Sequence, residues 1–198
     1  MATEREFWFK GPETLSRFTE GVAAAQHRLN RGYESQSALE CVVLSAAILD
    51  GLLRMGLILK GQLDHHTNDL DERLLHQADH DKKITERWVI DQAELRGVVL
   101  KSLADHFREL YDARNKCVHR YIISDVNYAF ATNLVFDYAD AIEKARLEIK
   151  KLEEEQHTRG IGLVVAEADT AEPDYDAEME KWNADMIAAK ESRGKRDR

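Results

Sequence analysis

The chain has 198 residues, with 28 Lys plus Arg against 37 Asp plus Glu, and a formal net charge of −9. At 43% hydrophobic and 33% charged it has enough apolar side chain for one core-forming domain plus an appendage, which excludes disorder throughout. No apolar run approaches the ~20 residues that a membrane helix needs, and Met1 to Lys10 lacks the basic start and cleavage site of a signal peptide. A cytoplasmic protein with no membrane partner is expected.

An aromatic start (Phe7, Trp8, Phe9) leads to Gly11-Pro12, and Pro12 opens a helix expected to run to about Asn30, with Asn30-Arg31-Gly32 as its stop. From Ser35, the residues Leu39, Val42, Val43, Ala46, Leu49, Leu53 and Leu57 recur at three- and four-residue spacing and define a buried helical face. This helix is apolar enough to be the centre of a bundle, and Gly61 is expected to end it. Gln62 to Thr85 is rich in Asp and His and reads as a long connection holding one short helix. The next period, Leu95, Val99, Leu103, Phe107, Leu110, Tyr111 and Arg114, reads as a single helix with an arginine on its apolar stripe. A further helix starts near Ser124 or Asp125, either a good N-cap, and carries Ala131, Leu134, Tyr138, Ala141, Ala145, Ile149 and Leu152 on one face as far as Glu154 or Gln156.

Arg159-Gly160-Ile161-Gly162 closes the bundle, and Leu163-Val164-Val165 reads as a short extended segment. Ala166 to Glu180 then has seven acidic residues and no basic one, Met179 to Lys190 has helical spacing with Trp182 and Ile187 on one side, and Lys190 to Arg198 is basic. The expected architecture is all-α: an antiparallel bundle of four to five helices over residues 1–160, a polar insert with a short helix over 61–86, and a tail over 161–198.

Chemistry concentrates in Arg114-Asn115-Lys116-Cys117-Val118-His119-Arg120-Tyr121. Five residues on an α-helix turn the direction by about 140° beyond whole turns, so Arg114 and His119 are expected to share a cleft only if the helix bends or ends between them. An imidazole moves protons near neutral pH, and a guanidinium binds phosphate oxygens and stabilises charge that develops in a transition state. Together they suit phosphodiester transesterification. Arg108, Arg114, Lys116 and Arg120 are expected to make a basic patch on the acidic body.

The arginine, a polar residue, three further residues and a histidine, set before the last long helix of an α-bundle, resemble the catalytic signature of the HEPN superfamily. The continuation His119-x-Tyr121 is similar to the form in HEPN toxins paired with a small nucleotidyltransferase antitoxin. The resemblance covers roughly Glu13 to Gln156. It implies a metal-independent, cofactor-free ribonuclease, a toxin or phage-defence effector, in which the RNA 2′-hydroxyl attacks the adjacent phosphate and two protomers form each active cleft. By position, His119 is the implied general base or acid, Arg114 the phosphate holder and Asn115 the orienting residue. Lys116 and Arg120 are implied to add phosphate contacts, and Tyr121 to be the residue that a partner nucleotidyltransferase modifies. A supporting acid from an earlier helix is implied, with Glu40 and Asp50 as the candidates.

Two other readings accompany this one. The same bundle can be a non-catalytic interaction module, in which case Arg114 and His119 are expected to be separated or sealed by local salt bridges, whereas catalysis requires both exposed in one dimer cleft. The insert residues His65, His66, Asp69, His76 and His80 offer a metal site, since His76 and His80 would share one helical face, although a solvated polar loop is the commoner use of such a stretch. Cys41 and Cys117 lie far apart without a ligand or disulfide pattern and are expected to be reduced.

Overall fold

The computed structural model describes residues 12–78 and 80–162, so the expectations for Phe7 to Phe9 and for the tail from Leu163 onward lie outside the described residues. Six helices follow one another: α1 Pro12–Glu34, α2 Ala38–His65, α3 Glu72–Leu75, α4 Glu86–Leu95, α5 Lys101–Arg120 and α6 Tyr128–Arg159. The protein is an all-helical bundle, and α3 is the short helix of the polar insert.

The helix α2 is the spine, packing against α1, α4, α5 and, most extensively, α6. By length and composition it is apolar enough to cross a membrane, contrary to the sequence reading, but most of its apolar surface is buried among its neighbours. All seven residues of the face expected for α6, from Ala131 to Leu152, are buried. On α2 the expected face is narrower than its pattern: Val42, Ala46, Leu49, Leu53 and Leu57 are buried, whereas Leu39 and Val43 are exposed.

Consecutive long helices run antiparallel, but the most extensive pair does not. At one end the Tyr128 hydroxyl of α6 donates to the Gln36 carbonyl just before α2 (3.3 Å), and at the other the Gln156 amide donates to the Leu59 carbonyl (3.1 Å) and Gln62 Oε1 (2.8 Å). Helices α2 and α6 are therefore parallel, as helices two apart are in an antiparallel bundle. The insert makes a similar arrangement for α4, because it carries the chain from His66 back to the middle of α2. Arg54 of α2 holds both ends of that return, donating to the carbonyls of Leu74 and Ile84 (3.1 Å each).

Several helix ends fall elsewhere than expected, for one physical reason. A helix stops where a residue adopts the left-handed conformation and the next N–H reaches back to the carbonyl five residues earlier. At the end of α1 that residue is Gln36 (φ 55°), with Ser37 N–H on the Gly32 carbonyl (2.9 Å). At the end of α2 it is His66 (φ 50°), with Thr67 N–H on the Gln62 carbonyl (3.2 Å). Neither Gly32 nor Gly61 stops its helix. Gly32 serves packing instead, since a Cβ there would lie 2.8 Å from Cys41 Sγ.

The period from Leu95 to Arg114 is likewise two helices, not one. Gly97 (φ 71°) ends α4, and Val98 N–H closes on the Ala93 carbonyl at 2.8 Å. Val98 then fills a notch at Gly56 of α2, where a Cβ would stand 2.6 Å from Val98 Cγ1. Helix α6 begins at Asn127 rather than Ser124 or Asp125: the Asn127 side chain accepts from Phe130 N–H (2.9 Å), while Ser124 Oγ donates back to the Arg120 carbonyl. It continues to Arg159, beyond Gln156, and ends at Gly160 in the expected left-handed cap (φ 63°).

Candidate active site

The motif occupies the last two turns of α5, and the helix is continuous through Arg120. The expected bend between Arg114 and His119 is absent, yet both line one open depression of about 500 Å³ together with Asn115, Lys116 and Arg120. Four-residue spacing explains this. Asn115 and His119 form one row of the helix surface and Asp112, Lys116 and Arg120 the next, while the length of the Arg114 side chain brings its guanidinium to the same rim.

Arg114 is mostly buried and its surroundings are charged. Its Nη2 donates to Glu86 in the first turn of α4, its Nη1 donates to Asn115 Oδ1 (2.9 Å), and its guanidinium lies 5.2 Å from the centre of the Tyr111 ring. Glu86 does not stand out in the sequence. Its one sequence signal is Thr85-Glu86, a capping residue and an acid in the first turn, and Thr85 Oγ1 does accept from Trp88 N–H (3.2 Å).

Asp50 of α2 completes the cluster. It accepts from Arg54 Nε at 2.7 Å, and burial pushes its carboxyl above the ordinary value while Arg54 and then Arg114 draw it back. Burial raises Glu86 too, opposed mainly by Arg114. The Tyr138 phenol is pushed far up by burial, so it stays protonated and donates to the Leu110 carbonyl (3.1 Å). Of the two candidate acids, Asp50 stands within electrostatic reach of Arg114, whereas Glu40 is on an exposed face beside Cys41.

His119, Lys116 and Arg120 are exposed. Arg108 is not part of their basic patch: it is clamped by Asp91 (2.7 Å), Glu94 (2.6 Å) and Asp105 (2.8 Å), and so ties α4 to α5. Tyr121 is half-buried at the end of α5, and Cys117 is buried beneath the motif. In the insert, α3 ends at Leu75, His76 is extended and His80 lies in a turn, so the two share no helical face. Among the described residues no group of three or more His, Cys, Asp or Glu is placed to hold a metal.

The geometry defines a helical bundle with one exposed imidazole beside three cations, one of which, Arg114, is paired with the half-buried Glu86. In comparisons with protein-family models, curated proteins and solved structures, nothing matches the chain.

Proposed function

We propose that the protein is a metal-independent endoribonuclease of HEPN type, acting in the cytoplasm as a homodimeric toxin or phage-defence effector. The observation that carries this reading is the shared depression of Arg114, Asn115, Lys116, His119 and Arg120 at the end of α5. In the reaction an RNA 2′-oxygen forms a bond to the adjacent phosphorus as His119 takes its proton. The bond from phosphorus to the 5′-oxygen breaks, and that oxygen is protonated as it leaves. The products are a 2′,3′-cyclic phosphate and a 5′-hydroxyl. Lys116 and Arg120 hold phosphate oxygens, and Arg114 contributes charge from its anchored position.

A base and an acid are both required, and one protomer supplies one His119. The reading therefore places a second copy across the depression. Val118, Ile122 and Ile123 flank His119 with apolar surface that is 44%, 94% and 81% exposed, which suits burial against that copy. A nucleotidyltransferase that adds adenylate to Tyr121 would block such a cleft with bulk and negative charge.

The Arg114–Glu86 ion pair favours a second reading, a non-catalytic interaction module in which Arg114 only joins α5 to α4. Incubation with mixed cellular RNA in EDTA separates the two. Cleavage leaving cyclic phosphate ends, reduced at least about a hundredfold in His119→Ala, is the expected result. An intact RNA pool after incubation with folded, dimeric wild type turns the assignment to the interaction module or to a ribonuclease that needs an activator.

A further inference from the structure

A second concave surface lies on the other side of the first turn of α4. The insert and α4 enclose a pocket of about 700 Å³ whose wall includes Arg73, Lys82, Lys83 and Arg96 and whose aromatic element is Trp88. Among the described residues its carboxylates are Asp71 and Asp81. Asp71 is committed to Arg73 through a pair of 2.8 Å hydrogen bonds, and Asp81 accepts from Ala78 N–H (2.8 Å). Lys82 and Lys83 are in no ion pair among the described residues, while the Arg96 charge acts on Asp71 without a close pair. On a chain of net charge −9, four cations against two carboxylates among the described residues of one concavity are a local inversion of sign, and Lys82 and Lys83 are the uncommitted ones.

Two further features point to a ligand with a flat ring as well as negative charge. Trp88 is a large aromatic left 39% exposed on a helix whose next two residues, Val89 and Ile90, are core. The Gln77 side chain in the same wall has a buried Nε2 donor with no hydrogen-bond partner among the described residues. The pocket is held in shape by Arg54, which fixes the carbonyls of Leu74 and Ile84 on either side of the insert.

The position of the pocket matters as much as its chemistry. Thr85 and Trp88 face it, whereas the intervening Glu86 and Arg87 reach the opposite way to Arg114 and Asp112 beside the candidate active site. A helix with its side chains is about 10–12 Å across, so one turn of α4 separates the two concavities. A flexible, single-stranded polyanion leaving the depression can cross that turn and enter the pocket.

We propose that this pocket is a second RNA subsite. It takes a nucleotide of a single strand, with the base stacked on Trp88 and the backbone phosphates on Lys82, Lys83 and Arg96. The choice of RNA as occupant rests on the ribonuclease reading, while the requirement for a base next to phosphate rests on the pocket.

The test uses the full chain and a fluorescein-labelled, single-stranded RNA made uncleavable by 2′-O-methylation, followed by fluorescence anisotropy. Base stacking on an aromatic side chain makes Trp88→Leu bind about five- to a hundredfold more weakly. The surface pair Lys82→Glu/Lys83→Glu weakens binding and lowers the slope of log affinity against log salt by about 1.4, or about 0.7 per lost phosphate contact. A Lys150→Glu/Lys151→Glu control, on α6 and away from the pocket, keeps the wild-type slope. A blunt duplex of the same sequence binds more weakly, since its bases are unavailable to Trp88. Wild-type affinity and slope in both pocket variants overturn the proposal, as does binding of adenosine monophosphate with no binding of the strand. The ribonuclease reading is judged separately: if the pocket variants lose RNA binding while wild type leaves unmodified RNA intact, the catalytic assignment fails and the subsite stands.

Discussion

The spine helix α2 presents two unlike sides to its neighbours. Where Val98 and Ile149 of its partners meet Gly56, the fit is one of shape, a notch with no room for a Cβ, and the Gln62–Gln156 pair is its polar element. Towards the insert, α4 and α5 the joint is electrostatic: Asp50, Arg54, Glu86 and Arg114 lie together in partial burial. Shape fixes the bundle without regard to pH or salt. Buried charge is expensive and must be answered group by group, so it fixes one relative position of α4, α5 and the insert, the three elements that carry both concavities.

The comparison breaks most severely at Arg54. Arg54→Ala leaves Asp50 without its partner and frees the carbonyls of Leu74 and Ile84, so a loss of about 3–5 kcal/mol is expected in urea unfolding, far above that of an exposed ion pair. On the apolar side, Gly56→Ala forces Val98 from its notch and is expected to cost about 1–3 kcal/mol, with no change in pH dependence.

Acid–base linkage sharpens the contrast. Burial raises Glu86 and Asp50, so between their ordinary values near 4 and their higher folded values the folded protein holds more protons than the unfolded one. Their contribution to stability therefore falls as pH rises through that window. Measured as the difference between wild type and Glu86→Gln across pH 4–7, the stability of wild type is expected to decline relative to the variant. A rising difference would mean that attraction to Arg114 outweighs burial.

The smallest effect separates the helical glycines. A methyl group added at Gly61 would meet no neighbour within 4 Å, so Gly61→Ala is expected to stabilise α2 by about 0.5–1 kcal/mol in thermal unfolding. Gly32→Ala, which meets Cys41 Sγ at 2.8 Å, is expected to destabilise.

What the sequence by itself determined is the part governed by local chemistry and period. The helical class, the central place of α2 and the buried stripe of α6 follow from spacing, because an α-helix repeats every 3.6 residues whatever surrounds it, whereas the same spacing set Arg114 and His119 apart on an unbroken helix. Only the tertiary structure decided the rest. Helix ends fell at Gln36 and His66 because a left-handed residue needs one reaching-back hydrogen bond and a fitting neighbour, not a glycine. The break at Gly97 is paired with a notch 41 positions earlier in the chain, at Gly56. The partner of Arg114 is Glu86, and Asp50 rather than Glu40 stands near it, because ion pairs between helices depend on how the insert returns the chain along α2. Periodicity describes which face a residue takes, but not which face of another helix it meets.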